Sequence, residues 1–447
     1  MGFNARPSNH LTRMLGLGFG IAVIFGGTVG VGILRLPGMI AGELQNVWLI
    51  LLVWLLGGLY ALLGAVSVAE LGAALPQAGG FYVYARRAFG PGTGFAMGWA
   101  DWLNNCAVIA FGSVAAAEYI TALIPKLDGS DTKIQTGIAL GILALFCALH
   151  WLGLRISSRV QKITSSITAI TFVALALACL LHSGVPLVLR LPHMGSVGLV
   201  GMLVPVVASL RAIVVTYDGW YEAIYFTEED TDAAKHLPRA MIGGVLLVLG
   251  LYLLMNVAFL HVLSIPALAD STLPAAAAAR VVFPAGSGQF ITALSLLTLL
   301  SLINAVLLGA PRILFAIGRD GLFSQRATRV DEDGTPKIAM LLTAGMAALF
   351  VVSGRFDEII AVAAILVAAM YCVNYVAVFA LRRREPRLKR PFLAWGYPIS
   401  TGLVLLGSVA FLIAAVHDDP TSAAEATVLL AIAVPVYLWK RRSPKLS

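Results

Sequence analysis

Long apolar runs free of Asp, Glu, Lys and Arg follow one another at 14–34, 44–69, 102–117, 134–154, 163–189, 240–269, 281–311, 338–354, 359–381, 391–416 and 426–439. A further run, 191–217, is interrupted only by Arg211. A helix needs roughly 20 mostly apolar residues to cross the hydrocarbon core. The pattern therefore predicts twelve transmembrane helices, with the third (bounded by Asp101 and Glu118) and the short last one the least regular. The first run is too long and too rich in glycine for a cleaved signal peptide, and no small-residue cleavage site follows it. The longest polar connections, around 264–280 and 319–337, are too short to bury a separate core, so one membrane domain is expected.

Charge settles the class and the orientation. Only 12% of residues are charged and 59% are apolar, against about 25% charged in ordinary soluble domains. Mean hydropathy is +0.88, and a water-soluble enzyme is excluded. With the N-terminus inside, 24 of the 31 Lys and Arg residues fall in cytoplasmic segments and five (Lys126, Lys133, Arg190, Arg280 and Arg355) in outer ones. Arg35 and Arg211 lie within helices. That asymmetry follows the positive-inside rule, so the net charge of +8 is topological and calls for no nucleic acid. A multi-pass protein of the inner (cytoplasmic) membrane is expected, with both termini cytoplasmic and the lipid bilayer as its surroundings. Cys106, Cys147, Cys179 and Cys372 sit in apolar stretches without disulfide or zinc spacing.

Two spans break their own pattern. The first carries Gly26-Gly27-Thr28-Val29-Gly30-Val31-Gly32, four glycines in seven residues, which makes a poor helix. Backbone freed there needs partners inside the protein or a wet cavity. A broken helix at this depth turns an N-terminus, with its free N–H groups and positive dipole end, toward an anion such as a carboxylate. A helix-packing seam built on the Gly26/Gly30 spacing is the alternative. The sixth span reads Val214-Val215-Thr216-Tyr217-Asp218-Gly219-Trp220, with a turn-forming Asp-Gly where the chain should still be in the bilayer. Paired interruptions at corresponding positions of two halves point to a transporter site.

Further segments carry a resemblance. Gly30-Val31-Gly32-Ile33-Leu34, Glu70-Leu71-Gly72 with Pro76, Gly79-Gly80, Tyr82-Val83-Tyr84 and Ala88-Phe89-Gly90-Pro91 occur in order. They are followed by Tyr217-Asp218-Gly219-Trp220, Glu228-Glu229, Leu237-Pro238-Arg239-Ala240 and Gly318-Arg319-Asp320-Gly321-Leu322. Over about residues 14–400 the chain resembles the amino acid–polyamine–organocation (APC) superfamily of amino acid permeases. The resemblance implies an all-α, LeuT-like membrane fold of two inverted five-helix repeats (14–183 and 196–382) with two appended helices (396–440). It implies that backbone amides of Gly30, Val31 and Gly32 hold the substrate carboxylate, and that carbonyls near Val214, Val215 and Tyr217 hold its ammonium group.

The chain departs from the family pattern at three positions. Val31 stands where a serine is common, so only main-chain donors remain. Val215 stands at the aromatic-gate position, which leaves occlusion to Tyr217 and Trp220. Thr168 stands where several members carry a lysine tying helix 1 to helix 8, and Ser301 and Asn304 of helix 8 are candidates to replace that tie.

Ionisable residues inside a membrane are costly and invite a functional reading. Asp218 reads either as a cap of the following half-helix or as a reader of the substrate ammonium or of a proton. Glu118 and Arg211 read as snorkelling residues, with an outer ion pair as the alternative. Asp101, Asn104 and Asn105 read as solvated at the cytoplasmic mouth, with a proton or substrate route as the alternative, and Glu70 as an anchor for Arg86 or Arg87. His150, His182 and His261 read as interfacial. No cofactor, catalytic group or metal site is expected, and no enzymatic activity. The predicted function is secondary active transport of amino acids by alternating access, with the proton as coupling ion. Obligate exchange, or a non-transporting sensor or complex subunit, are the alternatives. The substrate side chain is not legible.

Overall fold

The computed structural model describes residues 11–30, 32–124, 126–127, 131–185, 198–283, 286–331 and 334–442. Among these no strand forms beyond an isolated bridge between Leu15 and Asp230. The elements run α1 (Leu17–Thr28), α2 (Gly32–Leu44), α3 (Val47–Ala74), α4 (Phe81–Phe89), α5 (Pro91–Leu123), α6 (Thr132–Trp151), α7 (Leu154–Leu181) and α8 (Gly198–Thr216). A 3₁₀ turn (Glu222–Phe226) leads to α9 (Ala233–Val262), α10 (Ile265–Ala269), α11 (Pro274–Val282) and α12 (Ser287–Arg319). The chain ends with α13 (Lys337–Ser353), α14 (Phe356–Arg384), α15 (Ile399–Asp418) and α16 (Pro420–Arg442).

Every one of the twelve apolar runs carries a helix. Among the described residues nine helices are long and apolar enough to span a bilayer, and α1 with α2, bent by 49°, makes a tenth. The remaining two runs form shorter apolar helices, Leu203–Thr216 and Lys337–Ser353. The third span begins at Pro91 and not at 102, because Asp101 is no helix boundary. It lies wholly buried within α5.

The long helices α5 and α12 pack along one another at the centre, α3 pairs with α9, and α1 lies against α9, α7 and α12. In α12, 72% of the apolar window is buried, against 22% in α15 and in α16, which places the last two helices at the periphery. Tyr60 and Ser67 of α3 hold α15 there through Ser408 (2.7 Å) and Thr401 (2.9 Å). Leu406 and Ile413 of α15 are exposed, a liability in water that hydrocarbon removes.

Candidate functional site

The two interruptions lie against each other. The helix α1 stops at Thr28 and α8 stops at Thr216. Gly219, at φ +103°, presses on the backbone of Gly27, and a Cβ there would fall 2.5 Å from the Gly27 carbonyl oxygen. Only glycine tolerates both that conformation and that approach. Tyr252 of α9 is wholly buried and directs its hydroxyl at the carbonyls of Thr28 (3.2 Å) and Thr216 (3.3 Å). Two helix C-termini, each the negative end of a dipole, thus converge on one hydroxyl.

Across the gap α2 begins at Gly32, and the first-turn amides of a helix have no partner within it. Gly32 rests on Thr216, where a Cβ would come within 2.7 Å of the threonine methyl, whereas a Cβ on Gly30 would meet nothing within 4 Å. Val31 lies outside the described residues. A cavity of about 1010 Å³ has Gly27, Thr28, Gly30, Gly32, Thr216 and Asp218 in its wall and extends to Arg35 and Arg211. Thr28 Oγ1 and Asn104 Nδ2 border this space, buried and without hydrogen-bond partners.

The remaining expected residues fall in several places. Val214 and Val215 line the cavity, but the Val215 carbonyl accepts the Asp218 amide (3.1 Å), and the carbonyl brought to the gap is that of Thr216. Tyr217 is buried, with its hydroxyl on the Trp54 carbonyl (3.2 Å). Trp220 is buried against Tyr221 and Tyr371. Asp218 caps no α half-helix, because only a 3₁₀ turn follows; its carboxylate accepts the Tyr371 hydroxyl.

Arg211 pairs with Asp418 (2.6 Å) and not with Glu118, which is exposed. Glu70 pairs with Arg382 and Arg390 instead of Arg86 or Arg87. His150 is not interfacial but buried on Asn304 (2.8 Å). Asp101, Asn104 and Asn105 are buried too, which removes the reading of a solvated mouth.

The tie between helix 1 and helix 8 is present, but Thr168 does not make it. Thr168 is buried with an unbonded hydroxyl. One and two turns earlier on α7, Ser165 and Gln161 donate to the Ala22 carbonyl of α1 (2.8 and 3.2 Å). Gln161 also reaches Ser301 (3.2 Å) and accepts from Asn304 (2.6 Å) on α12. Ser301 and Asn304 thus join α12 to α7 through the neutral Gln161 amide, where several family members have a lysine ammonium.

On the side away from the cavity mouth, charges close the molecule. Arg312 grips Glu229 with two nitrogens (2.6 and 2.8 Å), both side chains buried. Arg319 holds Glu228 (2.8 Å), Arg86 and Tyr82 hold Asp320, and Arg87 holds Glu385 (2.8 Å). The Glu229 carbonyl accepts the amides of Met14 and Leu15 (2.9 and 3.0 Å), which draws the chain before α1 into the same closure. These pairs join segments far apart in the chain, and nothing in local sequence reports them.

A family profile, described as amino acid permease, matches residues 20–438. The serine/threonine exchanger SteT of Bacillus subtilis (strain 168) is 27% identical over 443 residues, covering 97% of this chain and 98% of that protein. The human b(0,+)-type amino acid transporter 1 is 25% identical over 93% of this chain and 85% of its own length. The human large neutral amino acids transporter small subunit 2 is 28% identical over 96% and 80%. The chain belongs to the amino acid permease family of the APC superfamily, with its LeuT-like membrane fold, and is an amino acid transporter.

Proposed function

We propose that this protein is a proton-coupled symporter that carries α-amino acids across the cytoplasmic membrane by alternating access, without altering them. The observation that carries the reading is the convergence of both interrupted helices on one cavity. The first-turn amides of α2, which begins at Gly32, suit a carboxylate, in keeping with a carboxylate site at Gly30, Val31 and Gly32. The Thr28 and Thr216 carbonyls, now on the Tyr252 hydroxyl, suit an ammonium group that displaces it. A sugar has neither charge. The ion-paired side, rich in Arg, is cytoplasmic by the positive-inside rule, so the cavity faces outward. Repeats over 14–183 and 196–382, with 396–440 appended, would let α1, α2, α3, α8 and α9 rock against α5, α6, α12 and α13.

The test is uptake of a panel of labelled amino acids into proteoliposomes, with and without an inward proton gradient. Accumulation of at least one amino acid that collapses with a protonophore is expected. Uptake of none refutes the reading.

A second reading, obligate exchange, is favoured by the neutral Gln161 link between α1 and α12 and by the exchanger named among the relatives. Efflux of preloaded label that requires external amino acid, with no net uptake under a proton gradient, would select it.

A further inference from the structure

Two buried acids lie beside the break and take no part in holding the substrate's charged ends. Glu222 is 2% exposed and Asp101 0%. Glu222 Oε2 and Asp101 Oδ2 have no hydrogen-bond partner, and neither residue forms an ion pair among the described residues. An ionised carboxylate held out of water without a cation or a full set of donors costs several kcal/mol. A bound proton removes that cost.

The surroundings offer no other remedy. From α1, Glu222 meets Gly27, where a Cβ would lie 2.7 Å from its Cγ; from α12 it meets Gly309, where a Cβ would lie 3.1 Å from Oε2. The nearest basic group along α12, Arg312, is committed to Glu229 and to the Leu308 carbonyl. From α5 the facing charged group is Asp101, beside the neutral Asn104 and Asn105, and from its own segment Glu222 meets Asp218, Tyr221 and Tyr225. From α14 Tyr371 is committed to Asp218. The Tyr225 hydroxyl donates to Asp101 Oδ1 (2.7 Å), as does Asn105 (3.0 Å), and the Tyr225 ring packs on the same Gly309 that Glu222 touches. Among the described residues, every charged neighbour not already neutralised is therefore another acid.

We propose that Glu222 and Asp101 form a proton-binding pair that couples proton uptake to closure of the ion-paired face. The proposal rests on the symport reading above. Glu222 belongs to the segment that breaks helix 6, and Asp101 belongs to α5, so the pair spans elements that separate when the cytoplasmic side opens. Closed and dry, the pair holds a proton taken from the outer solution. Opening admits water, the proton leaves to the cytoplasm, and two like charges then oppose re-closure until a proton returns.

The experiment uses the full chain in proteoliposomes with an internal pH dye, and measures proton entry and amino acid uptake together for wild type, Glu222→Gln and Asp101→Asn. Both variants keep the shape of the side chain and the hydrogen bond from Tyr225. Wild type should acidify the lumen with uptake, while Glu222→Gln should lose both the acidification and the stimulation by an inward proton gradient. Counterflow, which needs no net proton movement, should remain measurable in Glu222→Gln and shows that it is folded. Asp101→Asn should move the pH midpoint of gradient-driven uptake. Proton entry in both variants equal to wild type overturns the pair. Wild-type uptake driven by sodium, or exchange indifferent to pH, overturns it while leaving amino acid transport standing. No amino acid movement by wild type in any format overturns the symport reading itself.

Discussion

At the first helix break, one methyl group distinguishes two glycines two positions apart. A Cβ on Gly30 enters open space, whereas on Gly32 it enters the Thr216 side chain. Gly30→Ala should therefore leave the melting temperature in detergent within a degree or so of wild type and raise KM, because the added group enters the space proposed for the carboxylate. Gly32→Ala should lower both stability and Vmax, with a cost of about 1–3 kcal/mol typical of an over-packed contact. Equal effects of the two substitutions in paired melting and uptake measurements would contradict the assignment. The glycine run and the Asp-Gly turn were legible because local backbone preference is written locally. The hydroxyl of Tyr252 was not, since its two acceptors stand at residues 28 and 216, and no spacing rule links three segments that meet only after folding. Asp101 misled for a related reason: a charge in an apolar run reads as a helix end, yet hydrogen bonds from Tyr225 and Asn105 let it sit inside one.

Among elements, the contact of α1 with α7 and α12 decides how freely the first broken helix moves. Ser165 and Gln161 both hold the Ala22 carbonyl, and Gln161 extends to Ser301 and Asn304. Bare Gly26 makes room for this cluster: a Cβ there would fall 2.1 Å from the Gln161 amide nitrogen and 2.6 Å from the Ser301 hydroxyl. Ser165→Ala removes one of two donors to that carbonyl and should cost about 1 kcal/mol. Gln161→Leu leaves the Asn304 amide only its longer bond to the Ser157 carbonyl (3.4 Å) and removes a donor from both the Ala22 carbonyl and Ser301, and should cost about 1–3 kcal/mol. Thermal unfolding of the three proteins, with and without a transported amino acid, checks the order. A Gln161→Leu protein as stable as wild type would mean that α1 is held elsewhere. The sequence placed Ser301 and Asn304 in this tie but did not point to Gln161 and Ser165 on α7, because their partners Ala22, Ser301 and Asn304 come from segments far away in the chain.

Across the whole molecule, an open cavity on one side and a sealed, charged face on the other define one end of an alternating-access cycle, and the seal is uneven. The Arg312–Glu229 pair is buried on both sides, whereas Arg319 and Glu228 remain 31% and 18% exposed. Breaking a buried pair by removing one member leaves an uncompensated charge and costs roughly 3–5 kcal/mol, while a half-exposed pair contributes about 0–1 kcal/mol. Arg312→Met should therefore destabilise the protein strongly, Arg319→Met should be nearly neutral, and the double substitution Arg312→Met with Glu229→Met should recover much of the loss. Thermal unfolding in one detergent separates these outcomes, and a double variant less stable than Arg312→Met would show that the pair is not what closes this face. The same asymmetry bears on the cycle. Opening the ion-paired face must hydrate Arg312 and Glu229 together, and water admitted there lies next to Gly309 and Glu222. The step that unlocks the seal is thus the step that exposes the buried acids, which links the two ends of the molecule through one stretch of α12.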